Sequence, residues 1–201
     1  MRIGIFGGTF DPIHQGHLRA AEEVRECLEL DRILFVPAGH PPHRMAPAVP
    51  AADRLSMVRK AVAGNPAFQV SEAEIRRPGK SYTVDTLRQL RSRRPSDALV
   101  LILGEDQFRE IGSWHQPDRL FEFARIVVIT RPGVPRLVLD DVLTAARLAR
   151  HRKSVDRLAV SCLEISSTDI RERIRSGRSV RYLVPDAVRR HIQRRKLYSK
   201  K

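Results

Sequence analysis

Two histidines three residues apart, His14 and His17, follow a glycine pair in the stretch Gly7-Gly8-Thr9-Phe10-Asp11-Pro12-Ile13-His14-Gln15-Gly16-His17. Residues at this spacing share one face of a helix, so both imidazoles would point to one place. A short strand, a glycine pair and a helix start together bring backbone N–H groups and a positive helix end up to a phosphate. Gly7 and Gly8 allow the backbone to turn tightly and approach a ligand without side-chain obstruction. Pro12 would fix the loop before the helix, and Gly16 leaves room between the two rings. The chemistry this suits is the binding of phosphoryl oxygens and the stabilisation of charge that develops during group transfer. A plainer arrangement is also open, with one histidine capping the helix and the other packing against the loop. Two histidines without acidic or thiolate neighbours make a poor zinc site. No Gly-x-x-x-x-Gly-Lys-Ser/Thr is present, which excludes a P-loop enzyme.

A second polar cluster lies far along the chain at Ile165-Ser166-Ser167-Thr168-Asp169-Ile170-Arg171. Its hydroxyls precede Ile170 and Ile174 and read as a helix start. Three more modest segments are Pro41-Pro42-His43-Arg44, Ser81-Tyr82-Thr83-Val84-Asp85-Thr86-Leu87, and Gly104-Glu105-Asp106 with Trp114 eight residues after the aspartate. Alone, Ser81 or Thr83 could cap a helix, Trp114 could simply pack, and His43-Arg44 could be solvated loop charge.

The elements that must position these groups alternate from end to end. β-like runs are expected at 2–6, 33–36, 68–70, 98–103, 126–129 and 158–160. Between them, helical spacing recurs at Leu18, Ala21, Val24 and Leu28; at Leu55, Val58 and Val62; at Val84, Leu87 and Leu90; and at Leu139, Val142, Leu143 and Ala146. Two closing helices are marked by Ile170 with Ile174 and Val188 with Ile192. The apolar run 98–103 reads as a central strand buried on both faces. Alternation of this kind predicts the α/β class: one domain over 1–201, a Rossmann-like open parallel sheet with helices on both faces, and closing helices from about 166 to 198. In such a sheet, ligands sit at the carboxyl ends of the strands where strand order reverses. The histidine segment, Gly104-Glu105-Asp106 and Ser167 would then line one crevice.

Bulk properties set the limits. A chain of 201 residues with 42% hydrophobic content suits one well-buried domain. No apolar run approaches a membrane span, and the first residues are too short for a signal peptide, so the expected location is the cytoplasm. Cys27 and Cys162 lie in apolar-periodic stretches and read as small core residues in a reducing compartment. Net charge is +14, with 12 Lys or Arg from residue 171 onward against Glu172 and Asp186. Nucleic-acid binding is one reading of that charge. With only 5% aromatics and no alternating aromatics in the basic stretch, an exposed helix face is the better one. Nothing in the sequence fixes an oligomeric state.

The eleven residues from Gly7 to His17 resemble the His-x-Gly-His motif of the nucleotidyltransferase superfamily, in its adenylyltransferase branch. Residues 165–171 resemble the same superfamily's Ile-Ser-Ser-Thr-x-Ile-Arg segment. Taken in order with Tyr82-Thr83, Asp106, Trp114, Arg131-Pro132-Gly133 and Tyr182-Leu183-Val184-Pro185-Asp186, the chain from Arg2 to about Tyr198 is similar to the bacterial nicotinate-mononucleotide adenylyltransferase family. The resemblance implies ATP and nicotinate mononucleotide as substrates, with Mg²⁺ carried by ATP and no metal site of its own. It implies His14, His17 and Arg171 as the catalytic groups. ATP would be bound by these three with Gly7, Gly8, Thr9, Phe10, Gly104, Asp106, Ile165, Ser166, Ser167 and Thr168, and Ile165 and Ser166 would lie near the adenine. The mononucleotide would meet His43, Arg44, Tyr82, Thr83, Asp106, Trp114 and Arg131. Trp114 would stack on the nicotinate ring, and main-chain N–H groups around Tyr82-Thr83 and Trp114 would meet its carboxylate. Arg44 stands where relatives often have Lys, which keeps the charge and changes the geometry. Glu105 stands where a small or neutral residue is expected. Three other readings stay open: a phosphopantetheine adenylyltransferase, an RNA-binding protein on the same fold, and a non-catalytic nucleotide sensor.

Overall fold

The computed structural model describes residues 1–42, 46–130, 137–161 and 163–199. In chain order its principal elements are β1 (Arg2–Gly8), α1 (Gln15–Cys27), β2 (Arg32–Pro37), α2 (Ala51–Val62), β3 (Phe68–Val70), α3 (Ala73–Arg76), α4 (Thr83–Arg93), β4 (Ala98–Gly104), α5 (Glu105–Arg109), α6 (Leu120–Phe123), β5 (Arg125–Thr130), α7 (Leu139–Ala145), β6 (Val155–Ala159), α8 (Ser167–Arg175) and α9 (Asp186–Arg194). The strands form one parallel sheet in the order β3-β2-β1-β4-β5-β6. Strand order reverses between β1 and β4, so their carboxyl ends flank the crevice expected of this topology.

The sheet is buried on both faces because its strands carry apolar side chains in both directions. Phe6, Ile33, Phe35, Val100 and Ile102 face one layer, which includes Val24 of α1, Val58 of α2, Ile170 of α8 and Ile192 of α9. Ile5, Leu34, Leu101, Leu103 and Val128 face the other, with Leu87 of α4 and Leu143 of α7. In β4, residues 99–103 are all buried, as the apolar run predicts. Gly4 stands where a side chain cannot: a β-carbon there would come within 2.6–2.9 Å of the tips of Ile33, Leu30 and Ile102.

Several expectations need correction. β6 begins at Val155, three residues before the apolar run that marks it, because an edge strand tolerates the charged pair Asp156-Arg157. Asp156 is bound there by Arg125 of β5 at 2.8 Å. Cys27 is exposed: α1 ends on it, and Leu30 beyond the helix takes the core position. Cys162 lies outside the described residues. Gly7 and Gly8 are paired with Val36 and Pro37 as the last residues of β1, so they end the strand and do not form the turn. The turn falls at Phe10, which takes a left-handed backbone at φ 50°.

Candidate functional site

β1 delivers the chain to Phe10, whose buried ring packs against Phe6 and Phe35. Gly8 makes room for it, since a β-carbon would sit 3.0 Å from that ring. Gly7 has nothing within 4 Å of its would-be β-carbon and lines a pocket, which suits close approach of a ligand. Helix α1 then begins with His14 at its N-cap and His17 in its first turn. The two rings stack at 3.7 Å between centroids, and the His14 main-chain N–H donates to His17 Nδ1 at 3.3 Å. An Nδ1 that accepts leaves the ring proton of neutral His17 on Nε2, so the distal nitrogen is a donor. His17 also packs edge-on against Phe10 at 5.2 Å. Capping and convergence therefore coexist at this pair.

Gly16 is the residue that permits the stack. A methyl group there would lie 3.1 Å from His14 Nδ1. Gly16→Ala is expected to lower turnover about ten- to hundredfold with the fold retained, since misplacing a reacting group by about 1 Å costs this much. Steady-state rates beside a circular-dichroism melt would check it.

The distant cluster at the start of α8 is joined directly to this loop. Arg171 donates to the Asp11 carbonyl at 2.8 Å and to Thr168 Oγ1 at 3.1 Å. Ser167 donates its hydroxyl to the Pro12 carbonyl at 2.9 Å, and Ser166 caps the helix by accepting from the Asp169 N–H at 3.1 Å. These hydroxyls are thus partly spent on holding the two segments together, with Arg171 and the helix start facing the histidine loop. Ile165 is half-buried against the core, and Ser166 and Thr168 are exposed.

Beside the loop, the carboxyl ends of β1, β2 and β4 open into a pocket with an apolar wall of Ile5, Val36, Leu87, Leu101 and Leu103. Gly7, Gly8, Thr9, Tyr82, Thr83 and Trp114 all line it, so two groups of expected site residues meet there. Thr83 opens α4, whose first N–H groups have no partner within the helix. Trp114 and Tyr82 pack against the core beneath, and Tyr82 also stands over His115 at 4.3 Å. The Trp114 main-chain N–H is given to the Ile111 carbonyl at 3.1 Å, because a 3₁₀ turn precedes it. Asp106 is exposed on the first turn of α5 and does not line the pocket. Its neighbour Gln107 does, and also accepts from the Gly104 N–H at 3.1 Å. Glu105 opens α5, where a negative side chain meets the positive helix end. His43, Arg44 and Arg131 lie outside the described residues.

Two residues that the sequence reading did not single out, Arg54 and Tyr198, hold the histidine loop. Arg54 of α2 is 1% exposed and donates to the Thr9 carbonyl at 2.8 Å and the Gly39 carbonyl at 3.1 Å. Burial pushes its pKa down, and the nearby Asp11 pushes it back up. Asp11 accepts from the Tyr198 hydroxyl at 2.7 Å and from the Ala48 N–H at 2.7 Å. Burial, then the charge of Asp11, pushes the Tyr198 phenol up, so it stays a donor. Arg54 had a signal: it lies on the apolar stripe of α2, one turn before Val58. Tyr198 had none.

Among the described residues, no group of three or more His, Cys, Asp or Glu side chains could hold a metal ion, and no helix is long and apolar enough to cross a membrane.

Comparison with known proteins identifies the family and the fold. A family profile described as cytidylyltransferase-like matches residues 5–173. The chain is 49% identical to a probable nicotinate-nucleotide adenylyltransferase of Thermus thermophilus, over 98% of this chain and 100% of that one. It is 47% identical to a protein of the same description from Geotalea uraniireducens, over 99% of each chain. Among solved structures, it resembles the nicotinic acid mononucleotide adenylyltransferase of Plasmodium falciparum complexed with NaAD. There the TM-score is 0.77 at 17% identity, over 98% of this chain and 97% of that one, a likeness of fold.

Proposed function

The chain belongs to the cytidylyltransferase-like family, among the nicotinate-nucleotide adenylyltransferases, and on that premise we propose that it transfers AMP from ATP to nicotinate mononucleotide. A phosphate oxygen of the mononucleotide attacks the α-phosphorus of ATP. The bond from that phosphorus to the bridging oxygen breaks, pyrophosphate leaves, and deamido-NAD is formed as a step of NAD biosynthesis. The acceptor phosphate is already ionised at neutral pH, so no general base is needed and catalysis consists of positioning and charge stabilisation.

The observation that carries the reading is the stacked His14–His17 pair, tied through Asp11 to Arg171 and set beside the pocket of Trp114, Tyr82 and Thr83. His14 and His17 contact phosphate oxygens of the transferring group, and Arg171 balances charge on the departing pyrophosphate. The backbone at Gly7 to Phe10 and the start of α8 at Ser166, Ser167 and Thr168 hold the triphosphate, with Gly104 and Ile165 toward the nucleoside. Trp114 stacks on the nicotinate ring, and the first N–H groups of α4 at Thr83, beside Tyr82, meet its carboxylate. Asp106 takes ribose hydroxyls, and His43, Arg44 and Arg131 serve the mononucleotide phosphate. Mg²⁺ enters as part of the ATP substrate. A cytoplasmic location, and a single domain spanning 1–201 that closes with α8 and α9, belong to the same proposal.

Trp114→Ala is expected to raise KM for the mononucleotide about tenfold or more and to leave KM for ATP nearly unchanged, the loss of one aromatic platform. The test of the whole reading is pyrophosphate release from ATP with nicotinate mononucleotide, nicotinamide mononucleotide and phosphopantetheine as acceptors. Nicotinate mononucleotide is expected to give the highest kcat/KM. A clear preference for phosphopantetheine would overturn the acceptor, and no release with any of them would overturn the reaction.

A further inference from the structure

The pocket beside the histidine loop has one polar inner wall, and its charges run opposite to what an anionic ring needs. Glu74 of α3 lines it and is 8% exposed. Its Oε1 accepts the Thr86 hydroxyl at 2.7 Å, and Ser81 lines the pocket beside it. Ser81 Oγ meanwhile accepts the N–H groups of Gly39 and His40, at 3.0 Å each. The Thr86 hydroxyl therefore spends its hydrogen on Glu74 and has none to give a ring substituent. A carboxylate in the pocket can meet the start of α4, where Thr83 lines the wall, and it feels the sign of the charge behind that helix.

That charge is Arg77. Its guanidinium donates to Thr86 Oγ1 at 3.0 Å and to the Tyr82 carbonyl at 3.3 Å. It thus stands behind the first turn of α4 and adds to the helix's positive end. Arg77, Thr86 and Glu74 form one relay: the cation steadies the hydroxyl, and the hydroxyl steadies the acid. Burial works against ionisation of Glu74, with Thr86, Arg77 and Ser81 opposing it. A full negative charge on Glu74 would repel a ring carboxylate, and Arg77 is placed to offset it. Glu74 and Arg77 lie before the Ser81–Leu87 segment and were not singled out from the sequence.

We propose that the Arg77–Thr86–Glu74 relay determines the preference for an acid over an amide substituent on the pyridine ring of the acceptor. The inference rests on the acceptor assigned above. Arg77 acts as a positioning and electrostatic residue through α4, and Glu74 is the acid whose charge it offsets.

The test compares kcat/KM for nicotinate and nicotinamide mononucleotide in the full-length protein and in Arg77→Met, Arg77→Lys and Glu74→Gln, each with a thermal melt. Taking the ratio of the two acceptors cancels whatever affects their common phosphate and ribose. Arg77→Met is expected to lower the acid-to-amide ratio about tenfold, through KM for the acid, the order expected of one half-buried charge. Arg77→Lys should restore most of the ratio, and Glu74→Gln should hold or raise it. Equal losses for both acceptors, with the ratio unchanged in every variant, would mean that the relay only supports the fold and would overturn the proposal. If the unsubstituted protein turns over neither acceptor, it is the assigned reaction that fails, and the two failures are distinguishable.

Discussion

His17→Ala is expected to lower turnover with ATP and nicotinate mononucleotide about 10²–10³-fold, the usual cost of removing one preorganised donor to transition-state charge. His17 is assigned two duties, because its Nδ1 accepts the His14 N–H while its ring serves the transferring phosphate in the proposed reaction. The alanine variant should therefore also lose about 0.5–2 kcal/mol of stability, as capping losses do. His17→Asn separates the duties by supplying a new acceptor at the cap without an imidazole: stability should largely return and turnover should not. His14→Ala combined with His17→Ala should cost much less than the product of the single effects, since stacked rings acting on one centre are coupled. Single-turnover measurement of pyrophosphate release reads the chemical step directly. Near-full turnover in His17→Ala would remove the histidines from the mechanism.

Arg54→Met is expected to produce the largest loss of stability among residues that touch no substrate. Methionine keeps the apolar stem but leaves the Thr9 and Gly39 carbonyls without their donors. An unsatisfied buried carbonyl costs roughly 1–3 kcal/mol, and the relief from no longer burying a charge offsets part of two such losses. The net expectation is about 2–4 kcal/mol, or a fall in Tm of roughly 5–15 °C for a chain of this size. Turnover should fall as well, because Thr9 leads into the left-handed turn at Phe10. Lysine at position 54 should rescue little, since a point-like ammonium cannot span both carbonyls as a planar fork does. A denaturation series with the rate measured on the folded fraction separates the two effects, and an unchanged melt would show that the bridge is not needed.

Legibility of the structure in the sequence followed the range of the interactions. The run at 98–103 could be read because a strand buried on both faces must be apolar throughout, and α1, α2 and α4 could be read from apolar spacing. β6 was displaced because an edge strand needs only part of that pattern. The short pieces between Glu105 and Phe123 were invisible, each being too short to show a period. At the site, the convergence of the Gly7–His17 and Ile165–Arg171 segments was anticipated from resemblance and topology. The hydrogen bonds that achieve it, from Ser167 to Pro12 and Arg171 to Asp11, span 155 and 160 residues and leave no local trace. The relay under the pocket was missed for another reason. Glu74 and Arg77 look like surface charge in a polar stretch, and only the fold shows that α3 turns Glu74 inward.

The hydrogen bond from Tyr198 to Asp11 joins residues 187 positions apart. On a ribosome, at roughly 5–20 residues per second, about 10–40 s separates the synthesis of these two partners. Throughout that interval the loop bearing both histidines has been made, yet its tether to the last turns of the chain has not. A nascent chain can thus assemble β1, α1 and the pocket floor well before the transfer centre is locked. Arg171 and Tyr198, both bound to Asp11, are therefore among the contacts that this loop makes last.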